Sequence, residues 1–216
     1  MTDLIPQLNL LLPEIFIAIM TMFILLVGLF IDDKNKHISY GLSQFTLLCA
    51  GLITASIGFS QPQFAFNDMF IFDSLALFLK MMSYITLSIV FIYSKKYLFD
   101  KNLLNGEYFS LSFFVLLGVM LMISSKNLLL MYMGLELLSL SLYALIALNR
   151  DDKKSNEAAI KYFVLGALAS GLLLYGMSML YGFSGSLDLY TIGNVIQTQN
   201  INSEILVFGL VFMLSA

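Results

Sequence analysis

Charge is what this chain has least of. Asp, Glu, Lys and Arg together make up 12% of its 216 residues, against 59% hydrophobic residues, and the mean hydropathy is +0.89. A soluble domain carries about 25% charged residues, so the composition excludes one and specifies an integral membrane protein with several spans. One cysteine, Cys49, lies inside an apolar run and excludes an intramolecular disulfide or a cysteine metal cluster. One histidine, His37, in a polar loop, excludes an axial histidine pair for haem. No Lys or Arg precedes the first apolar run, which is too long for a signal peptide, so that helix is expected to be retained. The formal net charge of −3 says less than where the charges sit.

Hydropathy predicts an all-α, polytopic transmembrane bundle with six full spans at 12–31, 38–59, 70–94, 108–124, 127–148 and 158–183. A partial seventh runs from Ile205 to Ala216, too short to cross, so the sequence reads as the front of a longer protein. Loops 32–37 (Lys34, Lys36), 95–106 (Lys95, Lys96, Lys101) and 149–156 (Arg150, Lys153, Lys154) alternate with connections almost free of Lys and Arg. The N-terminal segment, the turn at 61–67 and the loop 184–203 hold none, and only Lys126 sits on their side. The positive-inside rule then places the basic loops in the cytoplasm and the N-terminus outside.

Glu136 is the only charge in 127–148, near the middle of the span. A carboxylate there costs on the order of 2.5–3.5 kcal/mol on insertion scales. The expected reason is proton or ion handling inside the bundle; the competing one is a carboxylate hydrogen-bonded to a neighbouring helix. Ser139 and Ser141 follow it and can bond across helices. Lys161 lies about five residues, or roughly 8 Å, inside the cytoplasmic boundary of the sixth span, and can serve transport or snorkel to the surface. By depth, roughly 12 Å separates it from Glu136, so a direct ion pair is not expected and a basic partner is looked for just beyond Ala216.

The remaining spans carry fewer signals. Lys80 is a further candidate, seven residues after Asp73 on nearly the same face; it can join a polar path, snorkel or pair with an acid. Pro13 and Glu14 suit a first helical turn, with Glu14 capping the helix dipole. The second and fourth spans read as scaffold and packing. On the sixth, Gly166 with Ser170 and Ala167 with Gly171 are expected to bring a neighbouring backbone close. In 184–203, Leu189, Ile192, Val195 and Ile196 recur at helical spacing, with Ser186 as the cap of a short surface helix.

Three segments carry a family resemblance: Gly106-Glu107-Tyr108, the stretch MYMGLELLSLSLYAL at 131–145, and EAAIKYFVLGALASG at 157–171, continuing to Gly185-Ser186-Leu187-Asp188. Together they resemble the subunit N family of bacterial NADH-quinone oxidoreductase, the respiratory complex I. The resemblance implies an antiporter-like, proton-pumping subunit of the membrane arm, built on inverted repeats of five helices that begin at the fourth. Residues 1–105 would then be three N-terminal helices and 106–216 most of the first proton-channel repeat, truncated. It assigns proton translocation to Glu136 and Lys161, and puts the family's seventh-helix lysine after Ala216.

It also implies no flavin, iron–sulfur cluster, metal or other cofactor on this chain. NADH or another donor, and ubiquinone or menaquinone, would be used by the whole complex. The expected partners are the other membrane-arm subunits of complex I and the lipid bilayer, with no nucleic acid, in the bacterial inner membrane. The expected activity is that of a subunit of a proton-translocating NADH:quinone oxidoreductase. The alternative is a subunit of a multi-subunit cation/proton antiporter, and a third reading is a scaffold whose charges are structural.

Overall fold

A computed structural model describes residues 8–30, 37–58, 62–101, 103–198 and 204–216; Lys34, Lys36 and the stretch 199–203 lie outside these. The described elements run α1 (Leu12–Phe30), α2 (His37–Ile57), β1 (Gln63–Ala65), β2 (Phe70–Phe72), α3 (Ser74–Asp100), α4 (Gly106–Ile123), α5 (Leu128–Ile146), α6 (Lys153–Ser184), α7 (Leu189–Thr198) and α8 (Glu204–Ser215). Helices α1 to α6 are long and apolar enough to cross a bilayer, and α8 is a shorter apolar helix. The helical, multi-pass fold expected from hydropathy is therefore present. In lipid this follows from the backbone: only a helix or a closed barrel satisfies its own N–H and C=O groups.

Three boundaries differ from the hydropathy reading, each for a local reason. Residues 70–72 form a strand, pairing Gln63 with Phe72 and Ala65 with Phe70, and α3 starts only at Ser74. Asp73 caps it, its Oδ1 accepting the Ala76 N–H at 2.7 Å. At its other end α3 runs on to Asp100, so Lys95 and Lys96 stand on the helix rather than in a loop. Helix α6 begins at Lys153 rather than near 158, because Asp152 accepts the Lys154 N–H and caps it there. The expected surface helix is present as α7, but its cap is Asp188, which accepts from the Thr191 N–H at 2.8 Å, while Ser186 Oγ accepts from the Asp188 N–H.

The hairpin turns through Phe66, Asn67 and Asp68, all left-handed at φ 55°, 52° and 63°. Its outer edge is then extended by two further segments. Ile71 N–H donates to Ser124 O at 2.8 Å and Lys126 N–H to Met69 O at 3.0 Å. Leu128 N–H donates to Leu187 O and Leu189 N–H to Lys126 O. A backbone strap thus joins the hairpin, the α4–α5 turn and the entry to α7. Lys126 adds a 3.8 Å ion pair to Asp188 and lies over the Phe64 ring.

Helix packing rests on glycines that face glycines. A Cβ on Gly118 of α4 would stand 2.5 Å from the Gly134 carbonyl of α5, and one on Gly134 2.8 Å from the Gly118 carbonyl. Gly28 of α1 meets Gly106 of α4, and Gly176 of α6 meets Gly209 of α8, in the same way. Close backbone approach is the main attraction open to helices in lipid, where apolar side chains gain little by meeting one another. The glycines of the small-residue pairs expected on α6 do not bring a second backbone close: Gly171 faces open space and Gly166 receives a tyrosine side chain. Around the α1–α4 crossing, Ile17, Ile24, Phe91, Phe109, Phe113 and Met120 fill the first core. Leu128, Met177, Leu180, Ile192 and Leu206 join α5, α6, α7 and α8 in another.

Two outcomes follow. Gly118→Leu should destabilise the bundle by about 1–3 kcal/mol, read as a lower melting temperature by circular dichroism in detergent, while Gly171→Leu stays near the parent. Asp188 loses solvation, which raises its pKa, but bonds from Thr191 and the Lys126 cation outweigh this and hold it below the ordinary 3.8. Its contribution is therefore present above the ordinary carboxyl range and lost as pH falls through the lowered value. Amide protection over residues 189–192, taken relative to the intrinsic exchange rate at each pH, should fall in that acid window, and Asp188→Asn should remove the dependence.

Candidate functional site

Asn127 starts α5 as its N-cap, its Oδ1 accepting the Leu129 N–H at 2.9 Å. Two turns on, Gly134 presses against α4. Glu136 is two residues later, about 200° around the helix, and so points away from that contact. Tyr132, Ser139 and Tyr143 share its side, at spacings of four, three and seven residues. An otherwise apolar helix thus carries one polar stripe, and Glu136 sits in it half-buried. Tyr132 is its neighbour one turn away on the same face. Ser141, named beside Ser139 in the sequence, lies off the stripe and bonds back to the Leu137 carbonyl.

The stripe ends against α6. The Tyr143 ring stands edge-on to Tyr162 at 4.8 Å and to Phe163 at 5.7 Å. Its hydroxyl occupies the space where a Cβ on residue 166 would be, so any larger residue there has to displace the ring. With Tyr143 opposite Gly166 and the helices antiparallel, Glu136 falls opposite residue 173. Lys161 is then about twelve residues away along α6, or roughly 18 Å. The structure does not bring Glu136 and Lys161 together. Lys161 instead holds Glu157, one turn back, at 2.5 Å, with 70% of its side chain exposed. Among the described residues no cation pairs with Glu136 and no group of His, Cys, Asp and Glu is arranged to hold a metal ion.

The third sequence candidate is placed elsewhere. Lys80 is fully buried and its Nζ lies 2.5 Å from Glu14 Oε1, also buried. Glu14 is in the first turn of α1, as expected for a helix cap, but its partner is this lysine. Pairing with an acid is one reading of Lys80, but the sequence does not say which acid, because Glu14 lies 66 positions away and has an adequate local role of its own. Lys80 also lies 5.0 Å from the Phe70 ring centre and 4.9 Å from that of Phe72. The Glu107–Arg150 contact at 3.5 Å is largely exposed and holds little.

Comparison with known proteins gives a consistent picture. Residues 125–216 match the family described as NADH:quinone oxidoreductase/Mrp antiporter, transmembrane. The chain is similar to NADH-quinone oxidoreductase subunit N of Thioalkalivibrio sulfidiphilus, 47% identical over 215 residues, covering 99% of this chain and 45% of that protein. It is 45% identical to subunit N of Nitrosomonas europaea over 100% of this chain and 45% of the relative. Among solved structures, a chain of Thermus thermophilus respiratory complex I superposes with a TM-score of 0.71 at 26% identity, over 94% of this chain and 42% of that one. A chain of the archaeal membrane-bound sulfane sulfur reductase shares the fold, with a TM-score of 0.76 at 19% identity over 96% of this chain and 43% of its own. The chain spans a little under half the length of the relatives it matches.

The Tyr143–Gly166 contact makes its own test. Gly166→Leu should lower stability by about 1–3 kcal/mol through overpacking, and adding Tyr143→Ala should restore part of it. A double-mutant cycle of thermal melts in detergent measures that coupling.

Proposed function

We propose that this chain, similar throughout to NADH-quinone oxidoreductase subunit N, carries protons across the membrane as part of a respiratory complex. The observation that supports the reading is Glu136: an acid in mid-span, on a polar stripe, within the stretch that matches the antiporter-type family. Burial strengthens a carboxylic acid's hold on its proton and a nearby positive charge weakens it, so a modest displacement of either loads or unloads it. Glu136 is the proton-holding group. Lys161, at the α6 end that carries Lys153 and Lys154, exchanges protons with the basic-loop side, and Glu157 holds its ammonium between transfers. Ser139 and Tyr143 line the way between them.

Residues 106–216 form most of one proton-channel unit, and 1–105 supply three N-terminal transmembrane helices ahead of it. The basic loops face the cytoplasm of a bacterial inner membrane and the N-terminus lies outside. NADH or another donor, and ubiquinone or menaquinone, react in other subunits of the complex, which are this chain's partners. The Mrp antiporters named in the matching family support a second reading, cation/proton exchange without electron transfer.

In membrane vesicles bearing the whole complex, Glu136→Ala should abolish proton pumping driven by NADH oxidation and Glu136→Asp should keep part of it. Normal pumping by Glu136→Ala refutes the role. Sodium-driven proton exchange that persists without NADH or quinone would favour the second reading.

A further inference from the structure

The Glu14–Lys80 pair is absorbed by none of this. It lies among α1, α3 and the hairpin, apart from the Glu136 stripe, and it is sealed: Lys80 has no exposed side-chain surface and Glu14 only 5%. Although Nζ and Oε1 are 2.5 Å apart, among the described residues neither Glu14 oxygen nor the lysine nitrogen makes an aligned hydrogen bond. Charge and ring contact, rather than directed bonds, hold the ammonium. The next groups to feel the pair are Asp73, which caps α3, and Tyr84, one turn beyond Lys80 and hydrogen-bonded to Thr54 of α2 at 3.0 Å.

The two rings over Lys80 belong to β2, and Phe70 and Phe72 are themselves buried. Between them Ile71 donates to Ser124, and Met69 accepts from Lys126. The next residue, Asn127, is the N-cap of α5. An unbroken set of contacts thus runs from the buried charge pair through β2 and the strap to the start of the helix that carries Glu136.

We propose that Glu14 and Lys80 are positioning residues for proton transfer: a charge clamp that fixes the hairpin and, through it, the setting of α5, without carrying the proton. The inference rests on the role given above to Glu136. It separates a clamp from a carrier by a simple asymmetry. Removing one partner leaves the other charge buried and alone, whereas removing both leaves no charge to satisfy. A carrier lost in both stays lost.

The test uses the whole complex in membranes, comparing Glu14→Gln, Lys80→Met and the double variant. Two quantities are read: protons pumped per NADH oxidised, and amide exchange at 69–71 and 124–129. Each single variant should lower the pumping ratio by about three- to tenfold and speed exchange in the strap by about tenfold, as a locally loosened segment does. The double variant should return both to within about twofold of the parent, since no unpaired charge remains. If a single variant fails to assemble, Lys80→Arg, which keeps the charge, should restore exchange and pumping where Lys80→Met does not. A double variant as impaired as the singles makes Lys80 a carrier and overturns the proposal. So does unchanged exchange in the strap of both singles. The exchange result stands whatever Glu136→Ala does to pumping, so failure of the clamp and failure of the proton-transfer role are told apart.

Discussion

Hydrocarbon offers no partner to a polar group, and the arrangement of this chain follows from how each such group is answered. The backbone answers with helices. Hydroxyls inside the spans turn back on their own helix: Thr21 donates to Ile17 O, Ser43 to Ser39 O, Thr46 to Leu42 O and Thr54 to Ala50 O. Two charges near the hairpin answer each other across 66 positions of sequence. Glu136 alone is left with a phenol one turn away and no cation beside it among the described residues. That imbalance separates a group held for stability from one held for exchange.

Two kinds of contact hold the described structure together. Helices meet through backbone contact at glycine and through apolar cores, from α1 against α4 to α6 against α8. Across the hairpin, the α4–α5 turn and the entry to α7 runs the strap, made of main-chain bonds. Side chains contribute little to it beyond Lys126, which touches Asp188 and Phe64 together. A connection of this kind transmits position without depending on any one side chain along it.

Hydropathy alone made the spans legible, because a helix long enough to cross lipid leaves an unmistakable apolar run, and the amphipathic α7 was equally plain. The hairpin was not. Phe70-Ile71-Phe72 is apolar and continuous with α3, and so short a run reads as helix or strand alike. The Glu136 helix stood out because its charge has no neighbours in sequence, yet its face could be assigned only once Gly134 was seen against α4. Lys161 was legible as a residue but not as half of a pair with Glu157, since that depended on α6 starting at Lys153. Spacing pointed to Gly166, Ser170, Ala167 and Gly171 as contact points, while α8 meets the helix at Gly176. Small residues recur along α6, and only a neighbour's location says which of them are used.

The glycine pairs carry a consequence for how such a sequence can change. Where a large side chain meets a small one, enlarging one is offset by trimming the other, and compensating substitutions accumulate in pairs. At Gly118 and Gly134, at Gly28 and Gly106, and at Gly176 and Gly209, both members are already the smallest residue available. No reciprocal trimming exists. A lineage that acquires a side chain at one of them can recover only by moving a whole helix, so second-site revertants would map to distant packing layers and not to the facing residue.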